Sequence, residues 1–276
     1  MRPTISIPAL RSDSLRNRLT AAVDRQPERP PVVFRDLGSF GGLGNQLWQI
    51  AATMGLAASR RSPARFNEWT YRDHFSVPDE CFAEPTEEDV PATSIATHIV
   101  EPFRPYLQDY SLFRRIVGKI RQSFAPPTEA RVQMEARFGD LLRIRQKTAL
   151  HVRRGDYLLL PGNHPVLPLT YYREAIRRLD GTNILVFSDD IEWCRRNLEW
   201  ARPVSFVEGN ADYEDLFLMA NCERHIMANS SFSWWGAFLS RDRHPIFSRD
   251  WYGPSFLRLG VQTDLMLPRG WIGLDS

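Results

Sequence analysis

Short apolar runs that stop abruptly at a knot of polar side chains recur along this chain, and stretches with helical spacing lie between them. The run 148–152 ends at Arg153, Arg154, Gly155 and Asp156; the run 184–187 ends at Ser188, Asp189 and Asp190; the run 225–228 ends at Asn229, Ser230 and Ser231. Earlier, Val32, Val33 and Phe34 precede a glycine-rich turn over 38–44. Runs this short and this apolar suit strands covered on both faces, which is the situation of a parallel sheet, and parallel strands need crossovers that are usually helices. The alternation therefore implies an α/β fold with parallel sheets. It also puts the polar knots at strand C-termini, where such folds bind ligands.

Helical spacing is clearest over 45–61, where Leu47, Ile50, Ala51, Met54 and Ala58 recur on one side and Arg60, Arg61 and Pro63 mark the end. Further helices are expected over 106–120, 128–139, 171–178, 192–199, 212–221 and from 232 to 239. In the second of these, Val132, Met134 and Phe138 are expected on the buried face. A short strand is expected over 204–207, and 66–97 reads as aromatic and loop-rich. Residues 1–30 are polar, end at Pro30-Pro31, and read as a frayed or weakly helical arm.

Composition narrows the function classes. With 276 residues and 43% hydrophobic content the chain is long enough for two modest domains with real cores. A net charge of +2 with both signs dispersed lacks the basic face of a nucleic-acid protein. Cys81, Cys194 and Cys222 are far apart and odd in number, against a zinc site or disulfide framework and in favour of a reducing compartment. Residues 1–10 contain Pro3 and Pro8 and no long apolar run, so neither a signal peptide nor a membrane anchor is expected. No stretch approaches the roughly 18 apolar residues of a membrane span.

The polar knots suggest chemistry, and each also has a plainer reading. Arg153 and Arg154 offer rigid, permanently charged forks that match phosphate oxygens, and a guanidinium beside a departing diphosphate would stabilise charge that develops as a bond at a sugar carbon breaks. Their plainer role is as surface ion-pair partners, with Asp156 among the candidates. Ser230 and Ser231 open a helix, a natural anion site, or Ser230 is an ordinary cap. Trp234 and Trp235 read as core. Asp215 interrupts the apolar pattern of Leu216 and Met219. Its carboxylate can accept from the N1–H and amine of guanine, or it serves the helix start. Gly44, Asn45 and Gln46 close a turn without the spacing of a dinucleotide fingerprint or a P-loop lysine, leaving close ligand approach or a capped turn. Ser188 and Asp189 suit a ribose or a structural strand end better than a metal.

Taken together and in order, five blocks resemble glycosyltransferase family 11, the α-1,2-fucosyltransferases: Gly41-Gly42-Leu43-Gly44-Asn45-Gln46; His151-Val152-Arg153-Arg154-Gly155-Asp156-Tyr157; Phe187-Ser188-Asp189-Asp190; the stretch from Asp215 to Met219; and Ala228-Asn229-Ser230-Ser231-Phe232-Ser233-Trp234-Trp235-Gly236. The ending with Asp264, Pro268, Trp271 and Ile272 is also similar to the family's close. The resemblance implies a GT-B-like architecture, two Rossmann-like domains with parallel sheets facing a central cleft. The expected division is an arm at 1–30, an acceptor-side domain at 31–145 and a GDP-fucose domain at 146–276.

It further implies inverting, metal-independent transfer of L-fucose from GDP-β-L-fucose to a sugar hydroxyl, the 2-OH of a galactose-containing glycan, with no cofactor beyond the donor. On this resemblance His151, Arg153, Arg154, Ser188, Asp189, Asp215, Asn229, Ser230, Ser231 and Phe232 are expected around GDP-fucose. Gly44, Asn45 and Gln46 are expected on the acceptor side. Arg153, Asp156 and His164 are the expected catalytic residues, with the base open between Asp156 and His164. No nucleic-acid partner and no membrane span are expected. The expected location is the cytoplasm, with peripheral contact at the inner face of a membrane left open. The alternatives are a different linkage, α-1,6 or O-linked, and a non-catalytic carbohydrate- or nucleotide-binding protein.

Overall fold

The computed structural model describes residues 29–179, 183–198 and 203–276. The arm expected over 1–30 falls, but for its last two residues, outside them. The first unit is small. Strand β1 (Val32–Phe34) leads through the glycine turn into helix α1 (Leu43–Arg60), followed by β2 (Ala64–Phe66), β3 (Val90–Pro91) and the one-turn helix α2 (Ala92–Ile95). The three strands pair in parallel in the order β2-β1-β3. The stretch 106–120 is not the continuous helix its composition suggests. It runs through tight turns at Tyr110–Leu112 and Arg114–Ile116 before helix α3 (Val117–Ser123) forms. The reason lies in α1: a Cβ on Gly55 would stand 2.2 Å from the Leu112 carbonyl oxygen, so the segment is pressed against that helix and follows its surface.

Helix α4 (Thr128–Arg143) is kinked at Phe138 and leads to the second unit. There β4 (Lys147–Val152), α5 (Leu169–Arg177), β5 (Asn183–Ser188), α6 (Ile191–Asn197), β6 (Val204–Val207), α7 (Asp212–Ala220), β7 (Arg224–Ile226), α8 (Ser231–Leu239), β8 (Ile246–Ser248), α9 (Pro254–Arg258) and β9 (Ile272–Leu274) follow in turn. All six strands are parallel, in the order β6-β5-β4-β7-β8-β9. The chain grows from β4 outward in one direction and then starts again on its other side at β7. The strand order thus reverses between β4 and β7, which opens a crevice at their C-terminal ends. That reversal brings the arginine loop after β4 beside the serine turn after β7.

Helix α1 carries no charged residue before Arg60, and all but its last turn and Asn45 is buried. A helix apolar all round belongs inside a protein, and α1 packs between the first sheet and helix α8 of the second unit. Trp48 lies 4.3 Å from Trp234 and 5.5 Å from both Trp235 and Phe113, measured between ring centroids. Trp234 and Trp235 are fully buried, so they are core residues. The three cysteines are buried and free. Val132 departs from expectation, being 61% exposed while Met134 and Phe138 are buried. Residues two apart on a helix face different sides, whereas Ala130, Met134 and Phe138 are spaced by four and share one. Among the described residues no helix is long and apolar enough to cross a membrane.

Candidate active site

A cleft of about 700 Å³ opens at the strand C-termini. Of the residues singled out from sequence, His151, Arg153, Asp156, His164, Ser188, Asp189, Asp215, Asn229, Ser230, Ser231, Phe232, Gly44 and Asn45 line it, and Arg154 and Gln46 do not. Arg154 turns away. Its Nε donates to Asp190 at 3.1 Å and its guanidinium lies 4.0 Å from the centre of the Trp193 ring. Gln46 faces inward, donating to the Gly41 carbonyl and accepting from the Trp69 indole at 2.8 Å.

Arg153 is held by carboxylates on both sides, Nη2 to Asp156 Oδ1 at 2.7 Å and Nη1 to Asp189 Oδ2 at 3.2 Å. Asp189 is itself fixed, because its Oδ1 accepts from the Arg154 backbone N–H at 2.9 Å. The guanidinium is one-third exposed and lines the cleft, its position set by the two carboxylates that also compensate its charge. The ion-pair reading of the Arg-Asp loop holds, and the pair lines the cleft.

Two helix N-termini meet at this point. Helix α8 starts at Ser230, whose Oγ accepts from the Phe232 N–H at 3.3 Å. Helix α1 starts at Gly42. A Cβ on Gly44 would lie 2.5 Å from the Phe232 nitrogen and 2.7 Å from the Ser231 carbonyl carbon. The glycine is therefore required for the close approach of the two helix starts. The positive ends of two helix dipoles converge on the cleft that Arg153 also lines, an arrangement that suits an anion.

Asn229 supports this region. Its Nδ2 donates to the Pro165 and Trp251 carbonyls, at 2.9 and 3.2 Å, while its own carbonyl accepts from the Tyr157 hydroxyl at 2.9 Å. His151 is buried, and burial, with Arg153 adding to it, pushes its pKa down to about 3, so the ring is neutral. Its Nδ1 has no hydrogen-bond partner among the described residues. His164 is likewise pushed below its ordinary value, chiefly by burial. It stacks on Tyr157 with ring centroids 4.6 Å apart, and its Nδ1 is enclosed.

Asp215 sits in the first turns of α7 but does not cap it. The capping carboxylate is Glu214, which accepts from the Ala211 N–H at 2.8 Å. Asp215 accepts from Asn210 Nδ2 at 2.9 Å, and burial raises its pKa to about 6. At neutral pH it is an ionised acceptor lining the cleft.

The other end of the cleft was not legible from motifs. Phe103, Tyr106, Gln108, Tyr252 and Phe256 line it. Phe103 meets Phe256 edge-on at 4.6 Å, and Phe256 meets His164 edge-on at 5.0 Å. Tyr252 Oη donates to Gln108 Oε1 at 3.0 Å, and Gln108 Nε2 donates to Asn45 Oδ1 at 2.8 Å. This chain fixes the Asn45 amide so that its NH₂ remains for a ligand. The one signal available was the density of aromatics around 103–110 and 251–256.

A family model described as "Glycosyl transferase family 11" matches residues 87–275. An α-1,2-colitosyltransferase of Escherichia coli is 37% identical over 149 residues, and the matched stretch spans 50% of this chain and 50% of that protein. The chain is thus aligned with about half the length of that relative. A galactoside α-(1,2)-fucosyltransferase 1 of Leontocebus fuscicollis is 25% identical over 274 residues, covering 86% of this chain and 73% of that one. Among solved structures, the fucosyltransferase NodZ from Bradyrhizobium superposes with a TM-score of 0.52 at 14% identity, over 77% of this chain and 94% of that one. The shared fold is α/β with parallel sheets.

Proposed function

The chain belongs to glycosyl transferase family 11, and from that premise we propose that it transfers L-fucose from GDP-β-L-fucose to the 2-OH of a galactoside, with inversion and without a metal. One observation carries the reading. The cleft brings Arg153 and two helix starts together with a buried carboxylate, Asp215, which supports a diphosphate at the first and guanine at the second. In this reading residues 31–145 and 146–276 form two Rossmann-like domains of a GT-B-like architecture facing the cleft, and the second holds the donor. The location we assign is the cytoplasm, with peripheral membrane contact as part of the proposal.

The acceptor oxygen attacks fucose C1 as the bond from C1 to the diphosphate oxygen breaks on the opposite side. Charge builds on the departing GDP, where Arg153 and the N–H groups at the start of α8 receive it. Positive charge from these groups stands where a metal would otherwise be needed. The acceptor's proton goes to Asp156. This carboxylate is 58% exposed in the cleft and one of its oxygens is engaged by Arg153, whereas the His164 Nδ1 is enclosed. His164 then serves as part of the aromatic wall. Asp215 accepts from guanine N1–H and its amine, and neutral His151, its Nδ1 enclosed, contributes a ring to the wall of the donor site.

The test is a donor and acceptor screen with linkage analysis, run with and without chelator. An α-1,2-fucosyl galactoside formed at full rate in chelator is the expected product. An α-1,6 or O-linked product, strict metal dependence, or GDP binding without transfer overturns the corresponding part. The colitosyltransferase relative supports a second reading, a colitosyl donor, and GDP-colitose belongs in the same screen.

A further inference from the structure

We infer that a second hollow, separate from the cleft, binds a neutral sugar residue of the acceptor, the one adjoining the residue that receives fucose. The inference rests on the functional reading above and extends it to a site outside the motifs. The hollow has a volume of about 360 Å³, within the range of small-ligand sites. Its position follows from topology. In the three-stranded sheet the strand order reverses between β1 and β3, and the crevice at such a reversal is where an α/β sheet receives a ligand. Phe34 and Asp36 line the hollow from the end of β1, and Thr93 and Ser94 line it from the turn after β3.

It also adjoins the cleft directly. Three chain segments place one residue in each space: Phe40 lines the hollow and Gly41 the cleft, Glu101 the hollow and Pro102 the cleft, Pro105 the hollow and Tyr106 the cleft. The partition is one pair of rings thick, Phe40 against Tyr106 with centroids 6.2 Å apart. Gln49 pins this partition by donating to the carbonyls of Phe40 and Pro105 at 3.3 and 3.1 Å. An acceptor that extends from the cleft past this partition meets the hollow next.

The lining chemistry selects the ligand class. Half-buried Phe40 offers an apolar face for sugar C–H groups. Exposed Asp36 accepts from hydroxyls. Arg104 donates to them from a fixed position, held by Glu101 at 2.8 Å and by the Ile99 carbonyl at 3.2 Å. The two carboxylates outnumber the single guanidinium, so an acidic sugar is repelled and a neutral one is accepted.

The experiment compares kcat/KM for methyl β-D-galactoside with that for a panel of β-galactosyl disaccharides, in the wild-type chain, Asp36→Ala and Ser94→Trp. Calorimetric GDP binding and thermal melting are followed in parallel. The wild type should prefer at least one disaccharide by roughly tenfold or more, and each variant should reduce that ratio by roughly tenfold, the effect of one charge-assisted hydrogen bond or of a filled site. GDP affinity should stay within twofold. A wild type indifferent to the second sugar, or a ratio unmoved in both variants, overturns the inference alone. Absence of transfer from GDP-fucose to any galactoside in the wild type overturns the functional reading beneath it.

Discussion

The two ends of the cleft are made of different materials. At the end we assign to the donor, charge is carried by Arg153, Asp189 and Asp215, each placed by a strand end or a helix turn and each held by a second hydrogen-bonding group. At the end we assign to the acceptor, rings and amides sit on tight turns and a one-turn helix: Phe103, Tyr106, Gln108, Tyr252 and Phe256. The contrast teaches where precision is needed. A developing charge is stabilised only by groups fixed in advance, so the donor end is built on regular backbone. Acceptor shape can change on loops without disturbing the sheet beneath.

The strongest way to break this comparison is Arg153→Ala. Loss of a preorganised charge at the leaving group should lower kcat by about 10³-fold, at the upper end of the range for a single oxyanion donor, with melting temperature little changed. Turnover within tenfold of wild type would mean that the donor end does not depend on that charge. Next comes Asp215→Asn, which places an amide where guanine presents donors. GDP affinity measured by calorimetry should weaken by roughly tenfold to a hundredfold.

Asp215 also gives a pH signature. Its pKa in the fold, about 6, lies above the ordinary 3.8. GDP binding should therefore weaken as pH falls through 6, and Asp215→Asn should flatten that profile. Stability runs the other way. A carboxyl that is easier to protonate when folded contributes most at low pH and loses that contribution as pH rises from about 4 through 6. A donor affinity independent of pH between 5 and 7 would remove Asp215 from guanine recognition.

Gly44→Ala tests the junction of the two ends. The added methyl meets the backbone of Ser231 and Phe232, and a loss of about 1–3 kcal/mol of stability by denaturant titration is expected, together with weaker binding of both substrates. The smallest effect belongs to Gln108→Ala. It frees the Asn45 amide and should raise acceptor KM several-fold while leaving GDP affinity alone. Equal damage to both substrates would show that the ends are not separable.

Much of the donor end was legible because parallel strands announce themselves. Residues 148–152, 184–187 and 204–207 stand nearly as their composition predicts, and Arg153, Asp156, Ser188 and Asp189 beyond the first two line the cleft. The Ser230 turn was legible both as cap and as site lining, and the structure makes it both. Arg154 could not be told from Arg153 by sequence, since which of two neighbours faces the crevice depends on Asp190 and Trp193 arriving from the next strand and helix. The acceptor end was illegible for a related reason. Its rings come from 103–108 and 251–256, on segments with no period, and only tertiary packing brings them together. The strands β2, β3, β8 and β9 are two or three residues long, too short to show alternation.

The Gly44 contact has a mechanical consequence. With the start of α1 seated on the backbone of Phe232 and no side chain between them, this seam cannot part without exposing two helix ends and the tryptophan cluster behind them.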